Sequence, residues 1–145
     1  MVRLNKICKI ERAIKNKIYP KGTVLIQISA TKGQTRLLKE DCTGLPSKYA
    51  CIIPKVDIDS LYLKFCIDEQ MEEFLSKYKQ TINIPINNLK YINISQKHIK
   101  DQKLISELIK LFDLYKEQEQ LLVDLLIILK KYFFGKFICK GSIEV

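Results

Sequence analysis

Residues 96–134, QKHIKDQKLISELIKLFDLYKEQEQLLVDLLIILKKYFF, determine the organisation of this 145-residue chain. Apolar residues recur there at alternating spacings of four and three, the period of an amphipathic helix that packs against other helices. A helix over residues 97–134 would be about 57 Å long at 1.5 Å per residue, longer than a domain of this size covers by itself. Residues 121–134 must therefore pack on something else, in cis or in trans, and a partner is favoured.

Two registers of apolar residues fit this helix equally well, so its apolar stripe is wider than the seam of a two-stranded coiled coil. Ser95 is a natural N-cap for it. A polar patch at residues 118–120 interrupts the stripe, which is a common device for fixing register. The residues predicted to face a second copy or a partner are Leu108, Leu111, Phe112, Tyr115, Leu122, Leu125, Leu126, Leu129 and Phe133.

Before this helix the pattern is shorter and strand-like. Residues 24–29 form an apolar, β-branched run, which predicts a largely buried strand. A turn separates it from a returning strand at 35–38. Residues 49–53 predict a further buried strand, which Pro54 ends.

Two short helices and one more strand are predicted before residue 96. Asp57 or Asp59 caps a helix over residues 61–66, and Asp68 caps an amphipathic second helix. Residues 89–94 alternate between apolar and polar side chains, which predicts a strand.

Residues 81–85 predict an exposed loop or edge strand, because proline cannot donate to a strand ladder. The resulting fold class is α+β, with a mixed α/β domain followed by one long, C-terminal, coiled-coil-like helix. The predicted division is an α/β domain at 1–95, a long spacer or dimerisation helix at 96–138 and a tail at 139–145.

Composition excludes several classes of protein. Hydrophobic residues make up 47% and charged residues 28%, as in an ordinary globular protein. The most apolar window, residues 121–134, is interrupted by Asp124, Lys130 and Lys131, so no transmembrane helix is expected. The N-terminus lacks the long apolar segment of a secretory signal. Five widely spaced cysteines without a CxxC motif favour a reducing cytoplasm over a disulfide framework or a zinc site.

No pattern of catalytic residues is present. The five glycines are isolated, and no phosphate-binding GK[ST] loop, G-x-S-x-G or H-E-x-x-H motif occurs. The single histidine, His98, is expected on the surface of the long helix. We therefore predict no catalytic residue, no metal site and no cofactor, and a function in binding.

The positive charge is concentrated in the first part of the chain. Residues 1–55 contain 12 Lys or Arg against Glu11, Glu40 and Asp41, whereas residues 56–145 carry no net charge. A basic half beside a neutral half indicates a polyanionic partner. The alternative is a lysine-rich solvated surface, and composition alone leaves both open.

Several short segments follow one another in a distinctive order: PKGTVLIQIS at 20–29, KYACIIP at 48–54, IDSLYL at 58–63, TIN at 81–83, LKYINI at 89–94 and LKKYFFGKF at 129–137. In order and spacing they resemble one half of the DNA-specificity subunit of type I restriction–modification enzymes, a target recognition domain followed by its spacer helix. The resemblance covers about residues 5–138.

The resemblance implies a non-catalytic subunit whose partners are double-stranded DNA, the DNA methyltransferase subunit and the restriction motor subunit. In that family two recognition domains each bind half of a split DNA site, and two antiparallel helices set the distance between them. This chain has one such domain, so the resemblance implies a homodimer or a reduced relative with an altered role. The alternative is an interaction module that docks on or regulates such a complex through its helix without recognising DNA.

The resemblance places the DNA-binding surface in the basic half and the 81–88 loop. Lysines suit phosphates, where a point charge suffices. Amide and guanidinium side chains suit base edges, and Tyr19 could stack or donate to a phosphate. The alternatives are a solvated loop for the lysines and turn formation for the asparagines. The candidates are Lys15, Lys17, Tyr19, Lys21, Lys32, Gln34, Arg36, Asn83, Asn87 and Asn88.

Overall fold

The structure is a computed structural model that describes residues 1–30, 32–78 and 81–141, without the side chains of 137–141. Its contacts divide the chain into two compact units, Met1–Ser106 and Glu107–Val145. The predicted α+β class with a long C-terminal helix is confirmed, since the strands pair in antiparallel sheets and the last helix runs for 43 residues.

The described residues form ten secondary-structure elements. They are β1 (Val2–Arg3), α1 (Leu4–Ile7), β2 (Cys8–Arg12), β3 (Val24–Gln27), β4 (Thr35–Leu37), β5 (Tyr49–Pro54), α2 (Ser60–Tyr78), a 3-10 helix (Ile86–Tyr91), β6 (Asn93–Ile94) and α3 (Ile99–Gly141).

The main sheet of the first unit has four antiparallel strands in the order β2-β5-β3-β4. Val24 of β3 lies opposite Ile52 of β5 on one side and Leu37 of β4 on the other. The predicted hairpin of β3 and β4 and the predicted third strand are therefore confirmed. A second, two-stranded sheet pairs β1 with β6.

Both faces of the two central strands are buried. Val24 and Ile26 pack with the residues of α2, whereas Leu25 packs on the opposite face with Tyr19 and Leu45. This double burial explains why Val24, Leu25 and Ile26 are apolar one after another rather than in alternation with polar residues. Each fully buried Val, Leu or Ile contributes roughly 1.5–3 kcal/mol relative to an exposed one.

One continuous helix, α2, replaces the two helices predicted from the sequence. Its N-cap is Asp59, whose Oδ1 accepts a hydrogen bond from the backbone N–H of Tyr62 at 2.9 Å. Asp68, predicted as a second cap, lies inside the helix, where it pairs with Lys64 at 2.6 Å and accepts a hydrogen bond from the Thr35 hydroxyl. The prediction of a second helix start was wrong because Asp68 uses its carboxylate for these side chains rather than for a backbone N–H.

The first half of the predicted strand at 89–94 belongs to a 3-10 helix. Only Asn93 and Ile94 pair with β1. The 3-10 helix buries Leu89 completely, and the carbonyl of Ile92 accepts a hydrogen bond from Leu4 N–H at 2.9 Å. The alternation of apolar and polar residues in this segment thus has two causes: the 3-10 helix buries Leu89, and the short strand β6 buries Ile94.

The long helix α3 begins later than its predicted cap. The carbonyl of His98 accepts from the N–H groups of Asp101 and Gln102 at 2.9 and 3.0 Å, so the helix begins at Ile99. The carbonyl of Ser95 instead accepts a hydrogen bond from the Tyr62 hydroxyl at 2.8 Å. Ser95 is therefore part of the connection before the helix, and its prediction as N-cap was wrong.

A buried polar network fixes the first two turns of α3 to α2 within the first unit. Gln102 is 6% and Ser106 2% exposed. The Oε1 of Gln102 accepts from the Asp59 N–H at 2.9 Å, and the Ser106 hydroxyl donates to the Asp59 carboxylate. Among the described residues no buried side-chain polar atom is left without a hydrogen-bond partner, as expected of a native-like interior.

The helix continues to Gly141, three residues into the segment predicted as a tail. Residues 142–145, the remainder of that predicted tail, lie outside the described residues.

The turn between β3 and β4 requires glycine at position 33. Gly33 has φ +73°, in the left-handed region, and an added Cβ would lie 2.4 Å from the Sδ of Met71. Met71 is itself 6% exposed in the core beneath the turn. Gly44 has a similar φ of +75°, but nothing lies within 4 Å of its added Cβ.

We predict that Gly33→Ala destabilises the protein more than Gly44→Ala does. Both variants place an alanine in the left-handed region, at a cost of about 1–2 kcal/mol. Only Gly33→Ala also displaces a core methionine, which adds roughly 1 kcal/mol. Urea unfolding measures the two losses. Equal losses would mean that Met71 accommodates the new methyl group without cost.

Candidate nucleic-acid interface

Three loops meet at the end of the main sheet where β2 and β3 end and β4 and β5 begin. Three backbone hydrogen bonds bring them together: Ala13 N–H to Tyr49 C=O at 2.9 Å, Ile28 N–H to Lys48 C=O at 2.8 Å, and Gln27 N–H to Gln34 C=O at 2.8 Å. We call this region the loop end. It comprises residues 12–16, 28–30, 32–34, 46–48 and the neighbouring 81–83.

The 81–83 segment joins the loop end through two hydrogen bonds. Ile84 N–H donates to the carbonyl of Ile28 at 2.8 Å, and the Oδ1 of Asn83 accepts from the N–H of Ala30 at 3.1 Å. Ala30 has φ 49°, so its N–H is presented from a left-handed turn. The structure thus places Asn83 beside Ala30, in the connection that follows β3.

Four exposed cations occupy the loop end, and its segments contain no Asp or Glu. Lys15 and Lys32 were candidates from the sequence; Arg12 and Lys48 were not. The Nη1 of Arg12 donates to the carbonyl of Ser47 at 3.2 Å. The Nζ of Lys48 lies 5.2 Å from the ring centroid of Tyr49. Loops that carry four exposed cations and no Asp or Glu of their own favour a polyanionic partner; the nearby carboxylate of Asp68, which accepts from Thr35, is paired with Lys64.

The signal that could have found Arg12 is the alternation of residues 8–12. Cys8 and Ile10, on one face, are buried and half-buried, whereas Lys9 and Glu11 on the other face are charged, which is the pattern of an edge strand; Arg12 is exposed at its end. Because β2 was not assigned from the sequence, the position of Arg12 beside the β5 start could not be inferred.

Lys17 is committed to an internal ion pair. Its ammonium group pairs with the Glu11 carboxylate, which also pairs with Lys9 at 2.8 Å. Hydrogen bonds from Lys17 and then Lys9 lower the pKa of Glu11 to about 2. The Lys17 ammonium also lies 5.3 Å from the ring centroid of Tyr19. Its charge is therefore compensated locally, unlike the charges of the loop end.

Tyr19, a candidate DNA-contacting residue from the sequence, is buried in the structure. Its side chain is 0% exposed, and its hydroxyl accepts a hydrogen bond from the Ile14 N–H at 3.0 Å. Burial raises its pKa to about 12. A fully buried ring can neither stack on a base nor reach a phosphate, so this residue supports the core of the outer sheet face.

Lys21 lies at the opposite end of the hairpin from the loop end, and Arg36 lies two residues along the chain from Gln34. Gly22 pairs with Leu38 at the opposite end of the hairpin, and the N–H of Lys21 donates to Asp41 at 2.8 Å. The distance along β3 from Gly22 to Ile28 is about 20 Å at 3.3 Å per residue. Arg36 is exposed in the middle of the edge strand β4.

Asn87 and Asn88 also lie outside the loop end, in the 3-10 helix. The N–H of Asn88 donates to the carbonyl of Pro85 at 3.0 Å, a turn interaction. Asn87 lines a separate cavity with Lys55 and Lys90. Of the three candidate asparagines, only Asn83 accompanies the basic loops.

In the second unit, α3 exposes apolar side chains. The nine residues predicted to face a partner are between 42% and 66% exposed. Leu121, Val123, Ile127 and Ile128 are exposed as well. Residues 121–129, which we call the apolar belt, contain one charged side chain, Asp124. Nine consecutive residues at 3.6 per turn surround the helix completely, so the belt is apolar on every side.

Three further features of the described residues concern disulfides, metal sites and membrane-spanning helices. The described thiols of Cys8, Cys42, Cys51 and Cys66 are unbridged. Over the residues that the structure describes, no three His, Cys, Asp or Glu side chains are grouped as a metal site. None of the described helices combines the length and the apolar character needed to cross a membrane.

Comparisons with known proteins show a fold likeness. No protein-family model matches the sequence, and no curated protein matches it. A solved structure from work on complex assembly and conformational transition of the type I R-M system contains a similar chain, with a TM-score of 0.64 and 16% sequence identity. The match covers 79% of this chain and 38% of that one, so this chain spans well under half of its length. At this identity the likeness establishes a related fold.

We predict that Glu11→Gln lowers stability at neutral pH by about 1–2 kcal/mol, less than the full pKa shift implies because the paired lysines are partly solvated. The folded pKa, about 2, is below the ordinary 4.5, so the stabilisation is present above pH 4.5 and disappears as the pH falls through 2. Unfolding free energies between pH 7 and 2 measure it. The charge-matched control is Glu40→Gln. A wild-type advantage over Glu11→Gln that persists unchanged at pH 2 would contradict the ion-pair explanation.

Proposed function

We propose that this chain is a non-catalytic DNA-specificity half-subunit of a type I restriction–modification system. In this proposal it acts in the cytoplasm as a homodimer and directs the methyltransferase and restriction subunits to a split DNA site. The observation that carries the proposal is the loop end, where four exposed cations stand without a carboxylate in the same segments. Such a surface fits the phosphate backbone of DNA.

The side chains at the loop end suit two kinds of DNA contact. Lys15, Lys32 and Lys48 are compact point charges for phosphate oxygens. Gln34 is exposed beside them, and its amide can bond the N6 and N7 atoms of adenine. Asn83 uses its Oδ1 for Ala30, which leaves its NH₂ group to donate to an acceptor on a base edge.

The fold likeness supports the same proposal. The similar chain belongs to a structural study of the type I R-M system, and the present chain covers 38% of it. One recognition domain per chain is consistent with a half-subunit, and two copies would supply the two halves of a split site. Because one fold can serve unrelated functions, the charge distribution remains the principal argument.

The helix of the second unit supports the assembly part of the proposal. Leu122 and Leu126 are 59% and 56% exposed, and an exposed apolar surface of this kind is typical of protein–protein contacts. Pairing with a second copy would cover one stripe of the apolar belt. The remaining faces of the belt are available to the methyltransferase and restriction subunits.

A second candidate function is an interaction module that docks on or regulates such a complex without binding DNA. The apolar belt favours it, because this surface needs a protein partner whether or not the loop end binds DNA. The two candidates differ in whether the cations of the loop end affect DNA affinity.

We predict that Lys32→Ala and Lys48→Ala each weaken binding to every duplex sequence and lower the slope of log K against log salt by about 0.9. Lys21→Ala is the matched control, because Lys21 lies at the opposite end of the hairpin beside Asp41 and should leave the slope unchanged. Fluorescence anisotropy with random and target duplexes measures both, using the assembled complex if the isolated chain binds weakly.

Gln34→Ala should behave differently, with a loss of about 1–3 kcal/mol only on the duplex that carries the correct base. If Lys32→Ala and Lys48→Ala bind with the affinity and slope of the wild-type protein, the loop end is not the DNA surface. The interaction module would then be the better interpretation.

We predict that replacing Leu122 and Leu126 together by Asp abolishes homodimerisation, because two carboxylates would be buried in an apolar contact. Light scattering after size-exclusion chromatography measures the mass. Lys116→Asp, an exposed position on the same helix, is the control for introducing an aspartate. A double variant that keeps the dimer mass and solubility would exclude this helix face as the contact.

A further inference from the structure

A second basic feature lies at the opposite end of β2 from Arg12. A cavity of about 320 Å³ opens there between α1, β2, the end of β5 and the 3-10 helix. It is lined by Asn5, Cys8, Lys9, Ile10, Lys55, Ile86, Asn87 and Lys90. None of these residues is acidic.

Two of the three lining lysines are available to an anion. The ammonium of Lys9 pairs at 2.8 Å with Glu11, the carboxylate that also pairs with Lys17, so it is already engaged in an ion pair. Among the described residues, Lys55 and Lys90 form no ion pair with a carboxylate. The Nζ of Lys90 lies 5.0 Å from the ring centroid of Tyr91, a contact that a ligand in the cavity would have to share or replace. The Nζ of Lys55 donates to the carbonyl of Asn5 at 3.1 Å, which positions the ammonium group and leaves two of its three N–H groups for a ligand.

The floor of the cavity is apolar. Cys8 is 1% exposed, and Ile10 and Ile86 are half-buried. Burial raises the pKa of the Cys8 thiol to about 12, so the thiol is neutral at pH 7 and does not repel an anion. Apolar walls beneath charged groups strengthen their field at the opening.

We propose that this cavity binds a sugar-phosphate group. Lys55 and Lys90 bind the phosphate oxygens, the amides of Asn5 and Asn87 donate to oxygens of the sugar or ester, and the sugar carbons pack on the apolar floor. A backbone unit of DNA and a free nucleotide both present this group. The inference that the cavity binds a sugar-phosphate group does not depend on the proposed function. The inference that this group belongs to DNA rests on the proposed function.

The first experiment uses the full-length protein with ribose 5-phosphate as the probe. We expect the probe to shift the side-chain amide resonances of Asn5 and Asn87 in ¹⁵N-labelled wild-type protein. Lys55→Gln combined with Lys90→Gln should weaken that binding at least tenfold, on the order of what loss of two charge-assisted contacts produces. Lys103→Gln combined with Lys116→Gln, two exposed lysines of α3, is the control and should bind as wild type does.

The second experiment measures duplex DNA binding of the same double variants against salt. A slope lowered by about two in the Lys55/Lys90 variant would identify DNA backbone as the source, since each lost phosphate contact changes the slope by about 0.9. An unchanged slope together with weakened ribose 5-phosphate binding would identify a free nucleotide-type ligand. Both results support the site.

Two outcomes would overturn the inference. One is that the Lys55/Lys90 variant matches wild type both in ribose 5-phosphate binding and in salt slope. The other is that the Lys103/Lys116 control loses as much, which would indicate only non-specific attraction. Failure of the wild-type protein to bind any DNA would refute the proposed function but not the cavity, because the ribose 5-phosphate titration tests the cavity separately.

Discussion

The burial of the main sheet on both faces is the constraint from which the rest of the first unit follows. Strands β3 and β5 carry apolar side chains above and below, so each face needs its own cover. Helix α2 covers one face through Leu63, Ile67 and Phe74. Among the described residues, the other face is covered by the connection from β2 to β3, with Tyr19 as its central buried ring. In the described part of the first unit, the basic loops and the basic cavity lie at the two ends of the sheet rather than on its buried faces.

The two ends of the sheet divide the basic residues into two groups. One group surrounds the loop end, where Arg12 and Lys48 stand beside the β3–β4 turn. The other lines the cavity at the far end of β2, with Lys55 and Lys90 above an apolar floor. Lysines elsewhere in the basic half either are paired with a carboxylate, as Lys17 is with Glu11, or lie apart from both groups. The net charge of +9 is therefore less informative than the absence of acidic residues from particular loops.

The long helix combines two environments. Its first turns are held in the first unit by buried hydrogen bonds of Gln102 and Ser106 to Asp59, and such a network is costly to disrupt because each group would be left unsatisfied in the interior. In the second unit the same helix has an apolar surface on every side at residues 121–129. A helix that is apolar on every side is normally covered by other parts of a protein or by a partner.

The sequence by itself determined the fold class, the hairpin of β3 and β4, and the long helix, because hydrophobic periodicity is a local property that depends on which faces are buried. The same local information could not show whether Asp68 caps a helix or lies inside one. The answer depends on Thr35 and Lys64, which bind its carboxylate. Nor could local information separate Lys32 at the loop end from Lys21 at the opposite end of the hairpin. Which charges meet is decided by strand pairing between residues far apart in sequence, and only the tertiary structure fixes that pairing.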